Sequence, residues 1–167
     1  RHFLLTGAAA TASLTAIPRF ARAAEGPTVA LVRDKAKRVS VEGKIDAALV
    51  QKLVDKAVMT MAGADDVAKA WGKFVGPKDK VAVKFNGLFA RATTRPEVLD
   101  AISNGLIAAG VDPANIVIFD RDSKDIQTAG LTANREGAKP RVVGTDGAYG
   151  PEMKAGPLST KLSKHLL

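Results

Sequence analysis

Lys84, Asn86, Thr93, Thr94, Arg95 and Asp120 are the side chains of this sequence whose types and spacing suit a shared chemistry. The first five sit in "KVAVKFNGLFARATTRPEVLDAI", residues 80–102. There a run fit for a buried strand ends in Lys-Phe-Asn-Gly, a short loop follows, and an amphipathic helix begins. A helix start attracts anions through its unpaired amides and its dipole. Arg95 can grip a carboxylate or phosphate through two parallel hydrogen bonds. Lys84, one residue from the end of its strand, can point into the same space, with the hydroxyls of Thr93 and Thr94 nearby. The expectation is a pocket for an anionic small molecule, a carboxylate or a phosphate. Plainer roles compete with it. Thr94 and Glu97 have the spacing of a capping box. Pro96 favours instead Arg95 as the N-cap, with proline at the first helical position. On the plainer reading Arg95 is simply solvated and Lys84 lies along the sheet edge.

Asp120 follows the most apolar run of the chain, Asn115 to Phe119. An acid directly after a buried strand can hold a metal or a hydroxyl group at the carboxyl edge of an α/β sheet. It can also cap the next helix or pair with Arg121. Asp122 or Ser123 can do the capping, which leaves Asp120 for a site. No catalytic motif names a reaction, so the sequence leaves open whether the protein is an enzyme. The dinucleotide and P-loop glycine patterns are absent, as is the Gly-x-Ser-x-Gly nucleophile elbow. His165 is the one histidine besides His2, and a lone histidine is weak ground for a metal.

The elements that must position these residues alternate. Thr28 to Val32 reads as a first strand, followed by the charged, exposed connection "DKAKRVSVEGK". From Ile45, Leu49, Leu53, Ala57 and Met61 recur every four residues, a helix that Gly63 can stop. A second helix is expected over residues 65–75, and Gly76-Pro77 breaks it. Lys80 to Phe85 is a strand with Val81, Val83 and Phe85 alternating. A helix then runs from Pro96 to Gly110. Asn115 to Phe119 is a strand, Ser123 to Ala129 a short helix, and Arg141 to Val143 a weak strand. "GTDGAYGPEMKAGP" reads as turns, and Leu158 to Leu167 as the start of another helix. Strands alternating with helices imply parallel crossovers. The expected fold is therefore α/β: an open, mostly parallel sheet with helices on both faces, a three-layer Rossmann-like arrangement. In such sheets ligands sit at the carboxyl ends of the strands.

Composition narrows the function classes. The chain has 167 residues, 46% hydrophobic and 25% charged, which suits one globular α/β domain over residues 25–167. Its formal net charge of +8 favours anionic ligands. The lysines are scattered, however, and Trp71 and Tyr149 are the only Trp and Tyr, so no nucleic-acid partner is expected. There is no cysteine, so no cysteine-ligated metal or iron–sulfur cluster can form within this chain, and the cofactor is left unknown. Residues 1–24 read as an export signal. Arg1 with Phe3-Leu4 matches the second half of a twin-arginine motif, and Ala21-Arg22-Ala23 suits signal peptidase. The apolar part is too short for a stable membrane span, which takes about 20 apolar residues. The expected location is periplasmic or otherwise exported, with the twin-arginine export machinery as a partner.

"KVAVKFNGL" and "TTRPEVLDAISNGLIAAGVDPANIVIFDRDSKDIQTAG", together with the signal, resemble the exported branch of domain-of-unknown-function family 362. The resemblance runs from about Thr28 to Tyr149. It implies an α/β fold and, because some relatives are joined to ferredoxin-like iron–sulfur modules, redox-linked work. Relatives often carry Cys where this chain has Gly87, and His where it has Arg95. Both differences remove metal ligands and favour an anion site. Relatives also continue beyond the position of Leu167, so the resemblance implies that this chain is the N-terminal part of a longer domain. A second function class stands beside ligand binding: a non-catalytic accessory protein that docks on a periplasmic redox partner.

Overall fold

A computed structural model describes residues 29–90, 92–135 and 139–166. The expected export signal, residues 1–24, lies outside the described residues. Three parallel strands carry the fold: β3 (Val81–Lys84), β4 (Ile116–Asp120) and β5 (Arg141–Gly144), in that spatial order. They are numbered after a small hairpin, β1 (Ser40–Val41) with β2 (Lys44–Ile45). The register pairs Lys84 with Phe119 and Asp120 with Gly144, so the three carboxyl ends lie side by side. A parallel pair needs a crossover. Helix α3 (Pro96–Ala108) supplies the one from β3 to β4, and helix α4 (Ser123–Thr128) lies on the one from β4 to β5. The chain is therefore mixed α/β around a parallel sheet, with antiparallel hairpins at either side in sequence.

The core forms where the apolar faces of α3 and α4 meet one face of the sheet. Leu99, Ile126 and Ala129 pack on Phe85 and Ile118, and Leu106 packs on Ile116 and Val111. Leu99, Ile116, Ile126 and Val111 are fully buried, each such side chain contributing about 1.5–3 kcal/mol. Helix α2 (Val67–Trp71) joins the same side through Trp71. Gly105 permits that approach, since a Cβ there would lie 2.1 Å from Trp71 Nε1. Helix α1 (Ala47–Ala62) packs outside α3. Gln51 Nε2 donates to the Ala101 carbonyl at 3.3 Å and Asn104 Nδ2 donates to Gln51 Oε1 at 2.9 Å. On the opposite face of the sheet, Val117, Phe119 and Val143 form a cluster with Ala82 and no helical residue. Among the described residues, the helices expected on both faces are thus found packed on one.

Several elements differ from expectation. Residues 29–32 form no strand: Val29 is 88% and Leu31 75% exposed, with no neighbouring ladder to pair with. A β-branched run supplies propensity, but a strand needs a partner. The charged connection after it instead holds the hairpin β1–β2, closed by Glu42 at φ 50° and Gly43 at φ 79°. Positive φ at both central residues is the type I′ turn that suits a right-twisted hairpin. The helix expected over residues 65–75 is only Val67–Trp71. The turn-rich stretch contains β6 (Tyr149–Ala155), and the expected C-terminal helix is β7 (Leu158–Ser163) followed by a 3₁₀ turn, Lys164–Leu166. Gly156, at φ 62°, allows the tight return between β6 and β7. That return turns an expected break into a hairpin.

Candidate functional site

The loop from β3 to α3 is held against the end of β4 by Asp120. The Asp120 side chain is only 5% exposed, and both its oxygens are occupied. The Lys84 ammonium lies 2.6 Å from Oδ1, the Arg121 amide donates to Oδ1 at 2.7 Å, and the Gly87 amide donates to Oδ2 at 2.6 Å. Burial works against the charge of Asp120, but the Lys84 hydrogen bond and the Gly87 and Arg121 amides outweigh it. They hold the carboxyl below the usual aspartate range. Gly87 must be glycine for this contact: a Cβ there would lie 2.4 Å from the carbonyl oxygen of Asp125.

The loop then folds back on Asn86. Its carbonyl accepts from the Thr94 amide at 3.1 Å and the Thr93 hydroxyl at 2.8 Å. Arg95 is the N-cap of α3, Pro96 is its first helical residue, and no side chain caps the helix. This decides between the two cap readings: the Thr94–Glu97 capping box does not form. Helices α1, α2 and α4 each open on an aspartate whose carboxylate accepts a first-turn amide: Asp46, Asp66 and Asp122. Among the described residues, helix α3 alone of the four helices opens on a cation, and the Glu97 amide makes no hydrogen bond.

The fold thus gathers all six residues at the carboxyl ends of β3 and β4, although their states differ. Asp120 is a framework group with no free oxygen, not an open ligand. Lys84 is not free either. It pairs with Asp120 and also donates to the Phe85 carbonyl, yet its side chain stays 53% exposed. An ammonium has three N–H donors, so one remains. Arg95 is exposed and enters no ion pair among the described residues. Asn86 accepts from the Leu88 amide at 3.3 Å through Oδ1, and its Nδ2 has no partner among the described residues. The unpaired groups of Lys84, Asn86 and Arg95 are therefore donors, which suits an anion. The first turn of α3 also holds the Glu97 carboxylate, one of whose oxygens is buried without a partner among the described residues.

Other parts of the rim carry no catalytic motif. Behind Asp120, the buried Thr145 hydroxyl donates to the Asp120 carbonyl at 3.1 Å and lies 2.9 Å from the Ser163 hydroxyl. At the end of β5, Asp146 accepts from the Ser123 hydroxyl and amide, each at 2.7 Å, and pairs with Arg135 at 3.1 Å. The Ser123 contacts come first in drawing the Asp146 carboxyl below its usual range. Sequence reasoning noted Gly87 only for a cysteine it replaces and gave Thr145 and Asp146 no site role. Thr-Asp-Gly directly after a strand was the available signal, since Asp146 at φ 48° and Gly147 at φ 81° make a type I′ turn there. Among the described residues no three His, Asp or Glu side chains cluster to hold a metal, and no helix is long and apolar enough to cross a membrane. Compared with family models, with curated proteins and with solved structures, the chain has no match.

Proposed function

We propose that this is an exported α/β ligand-binding domain that holds an anionic small molecule, a carboxylate or phosphate, at the carboxyl ends of β3 and β4. The observation that carries the reading is the opening of α3: a helix start with no side-chain cap, a proline in its first position and the exposed Arg95 as its N-cap. Unpaired amides, the helix dipole and a guanidinium fork all favour an oxyanion at that place. Lys84, oriented by Asp120, adds its remaining N–H, and the Asn86 amide and Thr94 hydroxyl add neutral donors. Thr93 shapes the loop through its bond to the Asn86 carbonyl.

Kinship with family 362, and the redox-linked work it implies, belong to the same proposal. Their support is the ordered set of motifs in the sequence. So does the finer fold, a larger Rossmann-like sheet of which β3, β4 and β5 are three strands. Its support is their parallel register in sequence order. Export rests on Arg1 to Ala23 as a signal, and a periplasmic preparation of the protein is expected to begin near Ala23 or Ala24. An intact N-terminus on cytoplasmic protein would overturn that part.

One observation favours the second reading, a docking protein for a periplasmic redox partner: Tyr149, Met153 and Leu158 stand exposed on the β6–β7 hairpin. Calorimetric titration with phosphate and small carboxylates separates the two, because docking needs no anion site. The expected result is saturable binding that Arg95→Lys weakens roughly tenfold, as loss of one charge-assisted hydrogen bond would. The melting curve of that variant should not move. No binding, or binding indifferent to Arg95→Lys, would overturn the proposal.

A further inference from the structure

A second cationic site lies at the other end of the sheet. The register places Ala82, Val117 and Arg141 side by side across β3, β4 and β5, so the three side chains share one face. This is the face on which no α-helix packs among the described residues. Ala82 and Val117 give it a small apolar floor, and Arg141 closes one side. The 3₁₀ turn after β7 brings Lys164 and His165 over it. The His165 ring packs against Phe119 with centroids 5.9 Å apart, and its Nε2 lies 3.4 Å from the Gly144 carbonyl. Lys80, just before β3, completes the rim. Lys80, Ala82, Val117, Arg141, Lys164 and His165 line a cavity of about 390 Å³ that, among the described residues, no carboxylate lines.

Elsewhere in the described structure several cations of the sheet and its loops, though not Arg95, are paired with carboxylates. Lys84 pairs with Asp120, Arg121 with Asp122 and Asp125, and Arg135 with Asp146. Lys80, Arg141 and Lys164 enter no ion pair and no side-chain hydrogen bond among the described residues. Three like charges around one small cavity repel one another, and a bound anion converts that repulsion into attraction. A cavity of this volume is within the range of small-molecule sites, roughly 300–1,000 Å³. Arg141 offers the planar fork that grips an oxyanion, Lys80 and Lys164 offer point charges, and the Ala82–Val117 floor accepts a carbon skeleton.

We propose that this cavity binds a small molecule bearing a multiply charged oxyanion, an oligophosphate or a polycarboxylate. The site is separate from the one at the carboxyl ends and does not depend on it. Its residues come from the amino ends of the strands and from the C-terminal turn.

The test is calorimetric titration of the full chain at low ionic strength with two probes, pyrophosphate and citrate. Saturable binding of either that the cavity substitutions weaken supports the site, and the tighter probe tells phosphate from carboxylate chemistry. Lys80→Ala and Lys164→Ala change exposed residues and should each weaken that binding about tenfold. Arg141→Lys keeps the charge but loses the fork and should weaken it as well, with a melting curve to show that the half-buried position still folds. Lys37→Ala removes one exposed charge elsewhere and should leave binding unchanged. Absence of saturable binding by both probes would overturn the proposal. So would equal weakening by Lys37→Ala, which would reduce the effect to net charge, or weakening by Arg95→Lys alone, which would move the anion to the other end of the sheet.

Discussion

Asp120→Ala is expected to lower the stability of the folded chain by about 3 kcal/mol, the lower end of what breaking a buried pair costs. Three donors converge on this carboxylate: the Lys84 ammonium, the Gly87 amide and the Arg121 amide. Alanine removes all three bonds at once. Lys84 is half exposed, so water can take up its charge, which keeps the loss from being larger. The buried Gly87 amide has no such recourse, and an orphaned buried donor alone costs about 1–3 kcal/mol. Asparagine should not rescue the position, because its NH₂ would face an N–H where an acceptor is needed. The pH dependence has a definite sign. The Asp120 carboxyl is held below its unfolded value, so the stability it contributes is fully present above the unfolded value, about 3.9. That contribution is lost as pH falls from there through the lowered folded value. Denaturation of wild type and variant should therefore differ most at neutral pH and converge under acid. A variant equally stable at neutral pH would show that Asp120 does not hold the loop.

Gly87→Ala is expected to be comparably damaging for a different reason. Its Cβ would lie 2.4 Å from the carbonyl oxygen and 2.9 Å from the carbonyl carbon of Asp125, both backbone atoms at the start of α4. A flexible side chain could swing aside, but helix backbone cannot. Overpacking of this kind costs about 1–3 kcal/mol, occasionally more. The loop must also move away from Asp120, so the Gly87 amide is lost as a donor and the opening of α3 shifts with it. The expected outcome is a lower melting temperature together with weaker anion binding. A variant that melts like wild type would contradict the close packing of this loop on α4.

The central βαβ succession was legible because each of its elements repeats a strong local signal. Ile116 to Phe119 is a continuous apolar run, and Pro96 and Gly110 bracket an amphipathic helix. Asp46 and Gly63 bracket α1 in the same way, and Gly63 takes the left-handed conformation at φ 59° that ends a helix. The place of the candidate residues followed from the fold, since Lys84, Asn86 and Asp120 had to fall at carboxyl ends once the strands were parallel.

What was not legible is pairing. Nothing in either run itself tells that Val29 and Leu31 find no ladder, or that Leu158 to Ser163 does, because strand formation is decided by a pairing partner, for the latter Tyr149–Ala155 just before it in the chain. The same holds within the site. Lys84 and Asp120 are 36 residues apart, and the sequence alone presented them as two independent ligand candidates. The register Lys84↔Phe119 brings them into contact and makes one the partner of the other. Gly87 was noted only as a missing cysteine, whereas its work is to present an amide where no side chain fits.

The measurement that tests the anion site most directly is a phosphate titration of the isotopically labelled full chain, followed by amide chemical shifts. The proposal predicts saturable shifts at the Glu97 backbone amide and the Asn86 side-chain amide, unpaired donors of this loop and helix start, with the same apparent affinity for both and loss of the effect in Arg95→Lys. Saturation of the protein with those two amides unmoved, or shifts spread evenly over exposed lysines, would contradict it.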